Sequence, residues 1–434
     1  MDEIIVEGVR CFYERQSIPL RKLTVLVGEN SSGKSTFLAL TRLAWSICQG
    51  AIDVDFNEEP FRLGAFDQIA SRIGGRMGNA KEFSVGAKVY VQGLPSIGRS
   101  SPIESNVQVC GIFMKSNAQP RLSRWSLESR SHSVLVNYGP KFPEWSFSTP
   151  SGVSTVVTRY VYSRDALVYM ASMGDLLSLG GVHDLEGTAP SKDDLEALRD
   201  LSLAISWVAP SKPYAFAPIR TQPQRTYDPL KEIPDPQGSH VPMTLARIAS
   251  SDSKAWKNLA LAVQEFGRAS GLFTNVEVRK MGKDEGDPFQ IRVKIAGSAF
   301  NLVDVGYGVS QILPIVVDIL RSEGRGTFLL QQPEVHLHPK AQAELGSFLA
   351  AIATATGKRF VVETHSDYLV DRIRMDIRDR RNIEPKDVQI LYFERQNGKV
   401  KVHPIEIDEN GNLESVPKGY RSFFLEEERR FLGG

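Results

Sequence analysis

Nine consecutive residues constrain this chain more than any other stretch: Gly28-Glu29-Asn30-Ser31-Ser32-Gly33-Lys34-Ser35-Thr36. The spacing GxxxxGK[ST] demands one local geometry. Its glycines let successive backbone N–H groups curl around a phosphate, and a helix starting at the end of the loop turns its positive pole to the anion. Lys34 supplies a cation for the β- and γ-phosphates and Ser35 a hydroxyl for Mg²⁺, while Gly28, Asn30, Ser31, Ser32, Gly33 and Thr36 complete the cradle. The flanks agree. Residues 23–27 are apolar and β-branched, and residues 34–48 repeat Phe37, Leu40, Ala44 and Ile47 on one helical face. Strand, glycine turn and helix in that order open an α/β fold. The motif predicts a P-loop core that binds ATP with Mg²⁺.

Residues 3–8 read as a further strand. Residues 56–160 change character: alternating segments such as FSVGAKVYV and HSVLVNY, broken by Gly, Pro and Ser, predict an antiparallel β insertion. Residues 164–207 read as helical, 208–237 (with PIRTQPQRTYDP) as an ordered loop, 243–270 as helical again, FQIRVKI as a strand, and 309–321 as an apolar helix. The short apolar runs at 327–330 and 359–362 fit buried parallel strands. Residues 388–394 and 400–407 predict a hairpin turning at Asn397-Gly398. The expected division is therefore 1–55, first part of the core; 56–207, β-rich then helical insertion; 208–385, second part of the core with a helical lid; and 386–434, a small C-terminal hairpin and tail.

Composition narrows the partners. Lys+Arg 52 against Asp+Glu 51 leaves a net charge of +1, so no global basic field exists, and nucleic acid, if bound, needs a local patch. Cys11, Cys48 and Cys110 lack metal or redox spacing and suit a reducing compartment. The acidic, strand-like start MDEIIVEGVR is not a signal peptide, and no apolar run reaches the ~18 residues of a membrane span. A cytoplasmic protein is expected.

Four segments in order, TVLVGENSSGKST, DVGYGVSQILP, LLQQPEVHLHPKAQ and VETHSDYL, resemble the ABC-type ATPases of the OLD-like (overcoming-lysogenisation-defect) class, in particular those serving as ATPase components of bacterial anti-phage systems. The resemblance implies an ABC/SMC-type P-loop core whose site a second copy of the chain completes. Gly306-Tyr307-Gly308-Val309-Ser310-Gln311 stands at the signature loop, a glycine turn feeding a helix N-terminus. Gly308 and Ser310 would there meet the γ-phosphate held by the partner copy. His365 stands where a histidine senses the γ-phosphate. Arg220 lies in the corresponding sensing loop, although a plain surface arginine would read the same. Arg10 and Phe12 are candidates to flank the adenine. His336 and His338 precede Pro339, a natural first helical residue; the resemblance makes this a subunit-contact segment rather than a metal site.

The chain departs from its relatives where the strand TFLL should end in two acidic residues. Here Gln331 takes the metal position and Gln332 the water-polarising one. An amide cannot accept a proton at neutral pH and is a weaker ligand for a divalent cation. Three readings stay open: Gln332 orients water without deprotonating it, Glu334 or Glu363 substitutes as the base, or hydrolysis is very slow and ATP acts as a clamp. The expected function is a nucleotide-dependent dimerising ATPase, a homodimer or larger oligomer. It would regulate a separate effector, such as a nuclease or toxin, in anti-phage defence. The tail ending GYRSFFLEEERRFLG is too short for the Toprim nuclease domain of the OLD-like nucleases, so effector chemistry is expected in trans. The rivals are an SMC-like DNA-repair or chromosome ATPase, which should carry long heptad arms, a non-hydrolysing ATP-binding scaffold, and a transporter ATPase, whose signature normally reads LSGGQ.

Overall fold

The strands that precede the phosphate loop belong to two different sheets. In the computed structural model, β1 (Glu3–Glu7) pairs antiparallel with β2 (Gln16–Pro19), whereas β3 (Leu23–Gly28) lies in a parallel array. Five successive residues of β3 are buried, as a strand covered on both faces requires. The structure describes residues 1–72, 78–94, 103–139, 143–157, 184–188, 190–208, 211–229, 232–284, 286–420 and 429–430. These fall into two compact units.

The first unit comprises Met1–Leu20, Glu29–Lys212 and Phe393–Val402. After the loop come α1 (Lys34–Cys48), the short α2 (Phe66–Ile69) and the strands β4 (Glu82–Leu94), β5 (Ile103–Ser116), β6 (Gln119–Glu128), β7 (Ser133–Tyr138), β8 (Pro143–Thr149), β9 (Gly152–Val157) and β10 (Asp184–Gly187), then α3 (Lys192–Val208). Its nine-stranded sheet runs β10-β9-β8-β7-β6-β5-β4-β1-β2. The β insertion is thus antiparallel as predicted, but β1 and β2 extend it: Ile5 faces Gly86 in the register of β1 and β4. Gly86 is required there, because a Cβ would stand 2.2 Å from the Val109 carbonyl oxygen. Helix α1 buries its predicted face, with Phe37, Leu40, Ala44 and Ile47 inaccessible, and Trp125 Nε1 donates to the Ile47 carbonyl at 2.9 Å. Of the helical stretch expected at 164–207, residues 164–183 and 189 lie outside the described residues; Asp184–Gly187 is a strand instead.

The second unit comprises Arg21–Gly28, Pro213–Tyr392 and His403–Gly434. Its elements are β11 (Tyr214–Phe216), α4 (Val241–Ser251), α5 (Ser253–Ser270), β12 (Asn275–Lys280), β13 (Phe289–Ile295), β14 (Ser298–Asn301), α6 (Tyr307–Arg321), β15 (Thr327–Gln331), α7 (Pro339–Thr356), β16 (Arg359–Glu363), α8 (Asp367–Arg378), β17 (Val388–Gln396), β18 (Lys399–Ile407) and β19 (Leu413–Glu414). The seven-stranded sheet runs β11-β15-β16-β3-β17-β18-β19, with β11, β15, β16 and β3 parallel. Phe216, Phe328 and Phe360 stack across β11, β15 and β16 with centroids 6.3 and 5.5 Å apart. Three expectations change. The stretch read as a loop contains β11; the predicted helix 243–270 is broken at Asp252, whose carboxylate caps α5 by accepting from the N–H groups of Lys254 and Ala255 at 2.9 Å; and the C-terminal hairpin continues the main sheet rather than standing beside it. Its turn is at Asn397-Gly398, with φ of 51° and 82°. No helix among the described residues is long and apolar enough to cross a membrane.

Candidate functional site

In the first unit, the phosphate loop is closed on its own lysine. Lys34 is buried, and its ammonium donates to the Glu29 carbonyl at 2.6 Å and lies 3.5 Å from the Ser32 hydroxyl. Ser31 and Gly33 take φ of 58° and 92°, the left-handed values that a loop of inward-turned N–H groups needs. A Cβ on Gly33 would stand 2.7 Å from Cys11 Sγ. Glu29, Asn30, Ser31 and Ser35 are exposed, Ser32 and Thr36 buried. Arg10 borders the loop: its guanidinium donates to Thr36 Oγ1 and to the Leu63 carbonyl, both at 3.0 Å. Burial lowers its pKa below the usual arginine value. Phe12, expected to flank a base, is instead a core residue, fully buried edge-on to Phe393 at 6.3 Å, and offers no face to a ligand.

In the second unit, residues that are far apart in sequence meet at the carboxyl ends of neighbouring parallel strands. β3 ends at Gly28, β15 at Gln331, β16 at Glu363, and Arg220 follows β11. Open α/β sheets bind ligands at this edge. Gln331 pairs in register with Glu363, and the Gln332 N–H donates to the Glu363 carbonyl at 2.8 Å, holding Gln332 at φ 43°. The turn then brings the Glu334 carboxylate under the next loop, where its Oε1 accepts the His365 N–H at 2.8 Å. Glu334 is buried. Desolvation pushes its carboxyl above the ordinary 4.5, outweighing the hydrogen bonds from His365 and Thr364 and the charge of Arg220. Arg220 is no surface residue: it is 2% exposed, and burial lowers its pKa to about 10 against the attraction of Glu334.

Four atoms of this cluster are buried without a hydrogen-bond partner: Arg220 Nε and Nη2, Gln331 Nε2 and Glu334 Oε2. Unpaired buried polar atoms cost free energy and call for an explanation such as an absent ligand. A phosphoryl group suits the guanidinium donors. The donor set suits a divalent cation less well, since amides stand at Gln331 and Gln332, and no group of three or more His, Cys, Asp or Glu side chains able to hold a metal occurs among the described residues.

The signature segment differs from its expected geometry. Helix α6 begins at Tyr307, so Gly308 lies in its first turn, not in a preceding loop. Gly308 packs on the turn after β15, where a Cβ would stand 2.8 Å from the His336 carbonyl oxygen, and Tyr307 lies over His336 at 5.5 Å. The Ser310 hydroxyl, expected to face a phosphate, donates to the Tyr307 carbonyl at 2.9 Å. His338 caps α7, with Pro339 as its first residue, and His365 is exposed. Sequence reasoning assigned no role to Gln311, which holds the Arg220 backbone. A polar side chain inside the apolar run VSQILPIVV was the available signal.

Residues 219–371 match a family model described as "AAA domain, putative AbiEii toxin, Type IV TA system", and residues 383–428 match one described as "Protein of unknown function (DUF3696)". The phosphate loop lies outside both. No curated protein matches the chain. Among solved structures, a SmcHead bound to the C-winged helix domain of ScpA is 10% identical, with 94% of this chain and 98% of that chain covered and a TM-score of 0.45. The Pyrococcus furiosus Smc head with an extended coiled coil, bound to the C-terminal domain of ScpA, is 9% identical with 99% of both chains covered and a TM-score of 0.43. The Thermotoga maritima SMC head domain is 13% identical, with 94% and 99% covered and a TM-score of 0.35. These scores are too low to bear on function.

Proposed function

We propose that this chain binds ATP with Mg²⁺ through Gly28–Thr36, that ATP brings two copies together, and that hydrolysis is slow, so that the ATP-bound pair acts as a switch on a separate effector. The observation that carries the reading is the phosphate loop itself, with Ser31 and Gly33 at left-handed φ and the Lys34 ammonium held on the Glu29 carbonyl. The Ser35 hydroxyl and, by the resemblance, Gln331 would hold Mg²⁺, which would supply positive charge at the phosphates. Arg220 would take the terminal phosphate, with His365 beside it. Glu334 or Glu363 is the base available where Gln332 has none. Gly308 and Ser310 serve the partner's nucleotide, through the first turn of α6. The resemblance of the four motifs to OLD-like ATPases supports a place in anti-phage defence, with a nuclease or toxin as the effector. A second reading, a scaffold that binds ATP without hydrolysing it, is favoured by the same two amides, and phosphate release separates the two.

Pairing is tested by mixing two variants. Lys34→Ala abolishes nucleotide binding, and Gly308→Arg blocks the approach of α6 to a partner. Each alone should fail to pair with ATP, while the mixture should pair, because one heterodimer retains one intact composite site. If the mixture stays monomeric by light scattering while wild type dimerises with ATP and Gly308→Arg alone still binds ATP, the trans arrangement is wrong.

A further inference from the structure

We propose that Gln311 is a positioning residue that ties helix α6 to the buried Arg220 and thereby sets the preference for a nucleoside triphosphate over a diphosphate. The proposal rests on the nucleotide-binding reading above. Gln311 is buried in the second turn of α6 among Val309, Ile312 and Leu313, a position where an amide is costly unless bonded. Its side chain spans one peptide segment as a neighbouring strand would: Oε1 accepts the Arg220 N–H at 3.1 Å, and Nε2 approaches the Arg220 carbonyl at 3.5 Å. The backbone held in this way carries a guanidinium with one partnered nitrogen, Nη1, which donates to the Pro218 carbonyl at 3.2 Å; Nε and Nη2 have no partner.

Two adjacent free N–H groups on a planar cation match two oxygens of a phosphoryl group. The loop is also held on either side by backbone hydrogen bonds, from the Ala217 N–H to the Pro236 carbonyl at 2.9 Å and from the Thr221 N–H to the Gln237 carbonyl at 3.0 Å, and Gln311 is the tie at Arg220 itself. The charge of Glu334 acts on the guanidinium, and its Oε1 holds the His365 N–H. Gly308, one turn before Gln311, rests on the His336 carbonyl. The first turns of α6 are joined by direct contacts to the Arg220 loop and to the turn after β15, and Glu334 joins that turn to His365, all within the second unit. Moving α6 moves the Arg220 donors.

The test measures ATP and ADP binding to the full chain by calorimetry for wild type, Gln311→Leu, Arg220→Met and the double variant. Wild type should favour ATP. Each single variant should lose about tenfold or more of ATP affinity, the size of a charge-assisted hydrogen bond, and keep its ADP affinity. The double variant should be no weaker than Arg220→Met, because the two residues act as one unit. A Gln311→Met chain, of similar length but without the amide, must behave as Gln311→Leu does, which guards against a variant that merely folds badly. Equal losses for ATP and ADP, or additive losses in the double variant, overturn the proposal. Wild type that binds ATP and ADP equally overturns it as well, leaving nucleotide binding intact, whereas wild type that binds neither overturns the nucleotide reading itself.

Discussion

Lys34 and Glu334 show how burial changes what a side chain can do. The Lys34 ammonium is held on the Glu29 carbonyl; in the proposed site it would meet phosphate, and its removal should silence binding. Saturating ATP at about 100 Kd stabilises a one-site protein by about 2.7 kcal/mol; thermal melts should show this shift for wild type and none for Lys34→Ala, and an equal shift in both would refute the assignment. Glu334 has its carboxyl raised above 4.5 by desolvation, with Arg220 too weak to reverse it. The folded protein thus binds this proton more tightly than the unfolded chain. The contribution to stability is fully present below the ordinary carboxylate value and is lost as pH rises through the folded one. Glu334→Gln should flatten that slope in urea unfolding at a series of pH values. A slope unchanged by the substitution would assign it to another group.

At the scale of elements, helix α6 and the turn after β15 form one contact. Alanine is the better helix former by about 1 kcal/mol, yet at Gly308 its Cβ would meet a backbone carbonyl at 2.8 Å. Backbone yields less readily than a side chain, so overpacking of about 1–3 kcal/mol should win. Gly308→Ala is expected to lower the urea midpoint; a rise would mean that the helix and the turn separate easily. Local patterns sufficed for α1, β15, β16 and the Asn397-Gly398 turn because the signals are contiguous. They did not for β11, three residues long inside a proline-rich stretch, whose strand character comes from pairing with β15. Nor did they for the break between α4 and α5, set by a single capping aspartate.

The whole molecule sets the rate. A positioned general base contributes about 10²–10⁴-fold, and Gln331 and Gln332 stand where both acidic residues were expected. Turnover should therefore fall below the ~1 s⁻¹ low end of ordinary enzymes. Gln331→Asp combined with Gln332→Glu should raise phosphate release. Glu334→Gln and Glu363→Gln should then identify the working base, as the variant that stops release but still binds ATP. Turnover of many per second in the natural chain would end the slow-switch reading.

By itself the sequence determined the phosphate loop, the helix behind it, the two core strands and the amides at the end of one of them. Each is written in a run of adjacent residues whose spacing has one physical solution. Only the tertiary structure decided that β1 leaves the parallel sheet for the antiparallel one, that Phe12 is core, that Arg220 is buried with two idle donors, and that Gln311 grips its backbone. A period-two pattern tells which face of a strand is apolar but not which sheet receives it. An arginine's sequence neighbours likewise say nothing of the carboxylate more than a hundred residues away that shares its burial.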